Sequence, residues 1–114
     1  MREKFRNVFY FKNYFRDFLD TQSPKVSKKI IWTLDLIETT PVVPEQYLKS
    51  LEGTDGLFEV RVMWGSDIFR IFCLFDEGRL VVLTNGFQKK SQKTPRREIE
   101  RAERIREEYY NEKE

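Results

Sequence analysis

The spacing of apolar residues in the N-terminal third of the chain predicts one strand followed by two helices. The segment RNVFYF (6–11) is an aromatic and β-branched run, which is typical of a strand. Apolar side chains then recur at helical spacing over 11–19. A second apolar stripe follows Ser23, a favourable N-cap, and Pro24, which suits the first position of a helix. We therefore predict a helix over 24–39 and an antiparallel hairpin of the two helices.

The middle of the chain predicts a sheet. Residues 57–87 contain three runs rich in β-branched and aromatic side chains, separated by GS at 65–66 and EG at 77–78. Two-residue loops of this composition are typical of tight hairpins. The preceding connection, 41–56, contains two prolines and two glycines, and we expect it to hold one helical turn around PEQYLKSL (44–51).

The two hairpins predict which side chains share a face of the sheet. A loop at 65–66 puts apolar pairs on one face: Val62 with Phe69, Val60 with Ile71, and Phe58 with Cys73. On the other face it puts Arg61 opposite Arg70, Glu59 opposite Phe72, and Met63 opposite Ile68. A loop at 77–78 pairs Phe75 with Leu80, Cys73 with Val82 and Ile71 with Thr84, and it places Asn85 beside Arg70. A slip of one residue would turn the core positions towards solvent, so the pattern itself favours this register.

The C-terminal segment predicts a third helix. Thr94 is a suitable N-cap, and Pro95 suits the first helical position. One face of this helix is apolar and consists of Ile99, Ala102, Ile105 and Tyr109. The chain is thus expected to be a single α+β domain (1–114), in which an N-terminal helical hairpin packs on a small antiparallel sheet together with a C-terminal helix.

Composition excludes several classes of function. The chain has 114 residues, enough for one modest core, and its net charge of +2 does not mark the whole molecule as a polyanion binder. It has no histidine and one cysteine, which excludes a zinc site or a histidine-based triad within one chain. Cys73 lies in an apolar run and is expected to be buried, in a reducing compartment. With no apolar signal core in MREKFRN (1–7) and no run of ~20 apolar residues, we expect a cytoplasmic protein without a membrane partner.

The placement of charge is more informative than its total. Residues 87–97 contain no carboxylate but five cations: Lys89, Lys90, Lys93, Arg96 and Arg97. Two arginines opposite each other on a sheet, as predicted for Arg61 and Arg70, repel unless a carboxylate or a phosphate lies between them. Glu59 is one such partner, in a solvated salt-bridge cluster. The other interpretation is a basic pocket that joins the arginines to the lysines and attracts nucleic-acid phosphates.

The segments LFEVRV, DIFRIFCLF, GFQKKSQKTP and EIERA together resemble motifs of the RelE/HigB superfamily of type II toxin–antitoxin toxins, most closely the phage-associated HigB-like branch. The resemblance implies a RelE/ParE-like fold and a toxin that inhibits translation as a ribosome-dependent, metal-independent mRNA endoribonuclease without a cofactor. It also implies mRNA and the ribosome as targets, and a cognate antitoxin that is usually a helix-turn-helix protein. A ParE-like toxin that acts on a protein such as gyrase, and an inactive binding module, remain alternatives.

The resemblance and the predicted register together indicate candidate site residues. The catalytic candidates are Glu59, Arg61, Arg70, Lys89 and Lys90. The RNA-binding candidates are Asn85, Phe87, Lys93 and Arg96. Phe87 either stacks on a base or belongs to the core. Some relatives use a histidine and a strand-end tyrosine for proton transfer; neither is present here, and Phe69 stands where the family has tyrosine before its arginine, which leaves open which residue transfers protons.

Overall fold

The structure, a computed structural model, describes residues 3–113 and confirms the predicted α+β class. The elements follow one another along the chain in this order: β1 (Asn7–Tyr10), α1 (Tyr14–Asp20), α2 (Pro24–Thr39), β2 (Leu48–Ser50), β3 (Leu57–Trp64), β4 (Asp67–Asp76), β5 (Leu80–Lys89) and α3 (Arg96–Glu112). None of the helices in the described range is long and apolar enough to cross a membrane.

The five strands form one sheet in the order β1-β5-β4-β3-β2. Strands β2 to β5 pair antiparallel, as predicted, but β1 pairs in parallel with β5, with Asn7 beside Leu80. The prediction of a purely antiparallel sheet is therefore wrong at this edge. A hairpin loop fixes the direction of the two strands that it joins, whereas β1 precedes both N-terminal helices and joins the edge of β5 without such a loop.

Helices α1 and α2 cover one face of the sheet. α2 spans the predicted residues, and Ser23 caps it by accepting a hydrogen bond from the backbone N–H of Val26 at 3.3 Å. α1 lies over β5 and α2 over β3, so the two helices of the predicted hairpin pack more on the sheet than on each other. The core on this face consists of Phe15, Val26, Ile30, Leu34, Ile37, Val60, Val62, Phe69, Ile71, Cys73, Val81 and Leu83. As predicted, the Cys73 thiol is fully buried, and burial raises its pKa to about 12.

Helix α3 covers the opposite face. Its predicted apolar face is confirmed, since Ala102, Ile105 and Tyr109 are buried and Ile99 is partly buried. They pack on residues of the sheet and its connections that include Leu51, Leu57, Phe72, Leu74, Val82 and Phe87. The predicted start of the helix is wrong by one residue. Pro95 has an extended ψ of 128°, so Pro95 takes the N-cap position that was predicted for Thr94.

The connection between α2 and β3 contains one turn and one short strand. The carbonyl of Pro44 accepts hydrogen bonds from the N–H groups of Tyr47 at 2.9 Å and Leu48 at 3.2 Å, which agrees with the single predicted turn. The chain then extends into β2, a strand that the sequence did not predict. β2 forms because the edge of β3 offers backbone hydrogen-bond partners to it. β2 pairs only with residues 58–60 of β3. The N–H of Arg61 also donates to the Tyr47 carbonyl at 2.8 Å. Within the described residues, the open edge of β3 is therefore limited to residues 62–64.

The first hairpin has the predicted register at every pair, including Arg61 opposite Arg70. The second hairpin does not. Leu80 pairs with Asp76, so the loop has three residues (77–79) instead of two, and a β-bulge between Ile71 and Cys73 shifts the register further. The predicted place of Asn85 beside Arg70 is therefore wrong, because Phe87 pairs with Arg70 instead.

Candidate functional site

The two predicted arginines meet on the face of the sheet that α3 partly covers, with Glu59 between them. Arg61 Nε lies 3.5 Å from one oxygen of Glu59, and Arg70 Nε lies 3.6 Å from the other. The side chains of Arg70 and Glu59 are only 7% and 10% exposed, whereas that of Arg61 is 31% exposed. The register of the first hairpin brings these three residues, called here the arginine cluster, together as predicted. The expectation of a solvated cluster is wrong, because Glu59 and Arg70 are buried.

The arginine cluster is incompletely hydrogen-bonded. Both ion-pair distances exceed the range of a hydrogen bond between nitrogen and oxygen. Within residues 3–113, three of its buried atoms have no hydrogen-bond partner: Glu59 Oε1, Arg61 Nε and Arg70 Nε. Other donors are used, since Arg70 Nη1 donates to the Phe69 carbonyl at 3.2 Å and Arg61 Nη1 to the Glu45 carbonyl at 3.4 Å. A buried polar atom without a partner typically costs about 1–3 kcal/mol of stability.

The cluster carries a net positive charge, because two guanidinium groups share one carboxylate. Burial lowers the pKa of Arg70, the nearby Arg61 lowers it further, and Glu59 opposes both effects by raising it. An arginine side chain stays protonated in proteins at any ordinary pH. A cation that burial disfavours, and whose Nε–H lacks an acceptor, is a good partner for an anion that brings its own oxygen atoms.

A cavity of about 290 Å³ opens beside the cluster, between α2 and the open edge of β3. This arginine cavity is lined by Lys29, Thr33, Gln46, Tyr47, Arg61, Val62, Met63 and Arg70. The lining therefore has three cations and no carboxylate. Sequence reasoning missed Lys29 and Tyr47, because they come from α2 and from the turn before β2. No spacing in the sequence connects either residue to the arginines.

The lysines of the predicted basic pocket do not line the arginine cavity. Lys89 pairs with Ile68, two residues beyond the pair formed by Phe87 and Arg70, so its side chain leaves the sheet on the same face as that of Arg70. Lys90 and Lys93 are exposed. Lys89 and Lys90 line a separate cavity of about 530 Å³ at the end of the first hairpin. The structure thus divides the predicted pocket into the arginine cavity and a lysine segment (89–93).

Two of the predicted RNA-binding residues are held within the fold. Asn85 is fully buried, accepts a hydrogen bond from the Thr84 hydroxyl at 3.0 Å, and donates to the carbonyl and the carboxylate of Glu98 at 3.1 and 3.0 Å. Phe87 is 9% exposed and packs against Phe72, with ring centroids 5.3 Å apart. Phe87 therefore agrees with the core alternative, and Asn85 ties β5 to the start of α3.

Arg96, in contrast to Asn85 and Phe87, is highly exposed. Its side chain is 89% exposed and forms an i,i+4 ion pair with Glu100 at 3.3 Å, at the first turn of α3. An exposed pair of this kind contributes little to stability, so Arg96 stays available to an external anion.

Across residues 3–113 there is no group of three or more histidine, cysteine, aspartate or glutamate side chains arranged to hold a metal ion.

Comparison with known proteins agrees with this fold. The model of the family described as "Phage derived protein Gp49-like (DUF891)" matches residues 17–107 of the chain. A chain of the archaeal RelE–RelB complex from Pyrococcus horikoshii OT3 superposes with a TM-score of 0.54 at 18% sequence identity, and the match covers 79% of this chain and 99% of that chain. No curated protein matches significantly. The predicted RelE-like fold is therefore confirmed.

Proposed function

The chain belongs to the Gp49-like family of phage-derived proteins, and on that premise we propose that it is the toxin of a type II toxin–antitoxin system, of the HigB-like branch, which inhibits translation as a ribosome-dependent mRNA endoribonuclease. The observation that carries this proposal is the arginine cluster, in which two guanidinium groups have buried Nε–H groups without acceptors beside a cationic cavity. Phosphate oxygens are the acceptors that the planar fork of arginine matches best.

The proposed reaction is attack of an RNA 2′-hydroxyl on the adjacent phosphorus. The bond between O2′ and phosphorus forms, the bond between phosphorus and O5′ breaks, and the 2′-proton passes to a base while an acid protonates the departing 5′-oxygen. Arg61 and Arg70 hold the phosphoryl oxygens and stabilise the charge that develops on them, so the step needs no metal ion. Glu59 is the proposed base, since it is the carboxylate between the two arginines, and Lys89 is the proposed acid.

The remaining candidates have supporting roles in this proposal. Lys90, Lys93 and Arg96 are exposed and hold the backbone of mRNA or ribosomal RNA, so their contribution falls as salt concentration rises. Asn85 and Phe87 position the strand and helix behind the arginine cluster rather than contact RNA. We assign these roles by exposure, because residues that bind a long polyanion must be accessible to it.

The proposed partner is an antitoxin that neutralises the basic surface. One structural neighbour is a chain of a RelE–RelB complex. For the present chain we propose a cognate antitoxin, a helix-turn-helix protein, that lays an acidic or helical segment over the arginine cluster and the lysine segment. Such a segment would supply the carboxylates that the cations lack. Amide exchange of the complex tests this: we expect protection in residues 59–70 and 85–93, and no protection there would contradict direct coverage.

The function is tested by adding the purified chain to a translation system and mapping new 5′ ends on the mRNA by primer extension. We expect cleavage of translated mRNA and none of the same mRNA without ribosomes. The alternative of a ParE-like toxin predicts intact mRNA together with inhibition of DNA supercoiling by gyrase. Intact mRNA in the presence of translating ribosomes would contradict the proposed function, whichever result the gyrase assay gives.

A further inference from the structure

We propose that the arginine cavity binds a nucleobase of the RNA, with Tyr47 as the stacking ring and Trp32 beside it, next to the phosphate held by the arginine cluster. This inference rests on the proposed function, because it names the part of the RNA that the cavity takes. None of the sequence motifs includes either aromatic residue. Tyr47 lines the cavity from the turn before β2, and Trp32, on α2, lies outside this lining and packs against the ring of Tyr47.

The cavity has the charge and the size for a nucleotide. Its three cations, Lys29, Arg61 and Arg70, favour an anion. Its volume of about 290 Å³ is close to the lower end for sites that take small ligands, roughly 300 Å³. A phosphate group alone would satisfy the guanidinium groups and leave the part of the cavity lined by Tyr47 and Met63 unused. The occupant therefore has an anionic part and an uncharged part.

The uncharged part of the occupant faces one aromatic side chain, that of Tyr47. Tyr47 lines the cavity, and its ring lies 5.9 Å from the ring of Trp32, with the two planes at 68°. Trp32 is 47% exposed, and Met63 on the cavity wall is 60% exposed. An accessible aromatic ring beside cations is a usual means by which proteins hold a base of single-stranded RNA, because every base has a flat face to stack. The uncharged part is therefore a base rather than a sugar or an aliphatic group.

The stability of helix α2 accounts for only one of the contacts around the cavity, the one between Lys29 and Trp32. Lys29 Nζ lies 4.4 Å from the centre of the Trp32 ring, and a pair spaced i,i+3 in this way stabilises α2 by itself. That contact does not account for Tyr47 or for the arginines, which come from other elements of the fold. An acidic peptide would match the charge of the cavity but does not require an aromatic wall beside buried guanidinium groups. The combination favours a nucleotide.

The test compares two oligomers that carry the same number of phosphates. One is a short single-stranded RNA with 2′-O-methyl groups, which cannot be cleaved, and the other is its abasic analogue. The chain has two tryptophans, so Trp64→Phe leaves Trp32 as the only tryptophan fluorophore. At low salt we expect the base-containing oligomer to quench the fluorescence of Trp32 and the abasic oligomer to leave it nearly unchanged.

Variants at the aromatic surface then separate stacking from charge. Tyr47→Leu should weaken binding of the base-containing oligomer by about tenfold, an effect typical of losing one stacked base, and should not change binding of the abasic oligomer. Tyr110→Leu is the matched control, since Tyr110 is a 45% exposed tyrosine on α3, and it should change neither affinity. Equal losses for both oligomers, or no quenching of Trp32, would overturn the proposal. A dimer seen by sedimentation and lost in Trp32→Leu would also overturn it, because a second copy would then cover this surface.

Failure of this inference and failure of the proposed function give different results. If mRNA is cleaved and Tyr47→Leu binds both oligomers like the parental chain, the base lies elsewhere and the nuclease proposal stands. If translated mRNA stays intact while the base-containing oligomer quenches Trp32 and Tyr47→Leu weakens its binding, the cavity is a nucleotide site and the nuclease proposal is wrong.

Discussion

Two carboxylates on one face of the same sheet, Glu59 and Asp76, are almost equally buried but have different surroundings. Asp76, at the end of β4, is 6% exposed and accepts hydrogen bonds from the Tyr109 hydroxyl at 2.7 Å and from Lys113 Nζ at 2.9 Å. Glu59, on β3, is 8% exposed and has two guanidinium groups at 3.5 and 3.6 Å, beyond hydrogen-bond distance. One carboxylate is satisfied, and the other is not.

The difference is the basis of a proposal about which of the two groups stabilises the fold and which binds a ligand. A buried polar network whose members are all paired contributes to stability and fixes one arrangement of the chain. An incompletely paired network costs stability, and a functional role is one reason for a native protein to retain it. We therefore propose that the Asp76 network attaches α3 to the sheet and that the arginine cluster forms the site. The predictions below test this assignment.

The largest effect is expected for Arg70→Ala. Loss of a charge-assisted contact to a developing oxyanion costs about 2.7–4 kcal/mol, which is roughly a hundred- to a thousandfold in the rate of mRNA cleavage. The melting temperature should change little, because the substitution also removes the repulsion between two arginines placed opposite each other. Primer extension after expression of the variant measures the first effect, and a thermal melt of the purified protein measures the second.

Arg104→Ala is the control for this prediction. Arg104 is an exposed arginine on α3, so its removal makes the same change in net charge away from the arginine cluster. We expect parental cleavage from this variant. Equal losses of cleavage in both variants would mean that total charge, and not the cluster, determines activity.

The next largest effect is expected for Gly86→Ala. Gly86 lies next to the β-bulge, between the arginine cluster and the Asp76 network. A Cβ atom at Gly86 would lie 2.5 Å from Cδ2 of Phe18, so α1 or the ring must move. Overpacking of this kind costs about 1–3 kcal/mol. Denaturant unfolding measures the loss, and Phe18→Leu in the Gly86→Ala background should restore part of it. No gain from the second substitution would show that the contact with Phe18 is not the cause.

Tyr109→Phe should lower stability and leave activity intact. It removes one of the hydrogen bonds to the buried Asp76 carboxylate, a loss typically of about 1 kcal/mol, or about 5 °C in the melting temperature of a domain of this size. The rate of mRNA cleavage per folded molecule should equal the parental rate. A stable variant with impaired cleavage would reverse the roles that we assign to the two carboxylates.

The smallest expected effect is a pH dependence at Asp76. Hydrogen bonds from Lys113 and Tyr109 hold the pKa of Asp76 below its usual value of 3.8. A carboxylate whose pKa is lowered by folding adds stability above its unfolded pKa, and this stability is lost as pH falls through the folded pKa. The difference in melting temperature between the parental chain and Asp76→Asn should thus be present near neutral pH and shrink below about pH 4. Asp55→Asn, at an exposed position, is the control for the loss of one carboxylate.

The sequence correctly predicted which residues form the arginine cluster and where helix α2 lies, but it did not predict the register of the second hairpin, the position of β1 in the sheet or the strand β2. The arginine cluster was predictable because a two-residue loop fixes the register of the first hairpin, and that register alone puts Arg61 opposite Arg70. The ends of α2 were predictable for a similar reason, because Ser23 and Pro24 are local signals for its start.

The remaining features depend on contacts that are distant in sequence. The three-residue loop and the bulge in the second hairpin put Phe87 opposite Arg70, and no local pattern distinguishes them from a two-residue loop with regular pairing. The parallel position of β1 and the strand β2 depend on which sheet edges are free. Lys29 and Tyr47 reach the arginine cavity only because α2 crosses beside the open edge of β3.

The most direct test of the central claim compares Arg70→Ala and Tyr109→Phe side by side, with cleavage of translated mRNA and the melting temperature measured for each. We predict opposite patterns: Arg70→Ala loses roughly a hundred- to a thousandfold in cleavage rate and keeps the parental melting temperature, whereas Tyr109→Phe keeps the parental rate and melts about 5 °C lower. Folded Arg70→Ala protein that cleaves mRNA at the parental rate would contradict the account, because the arginine cluster would then not be the site.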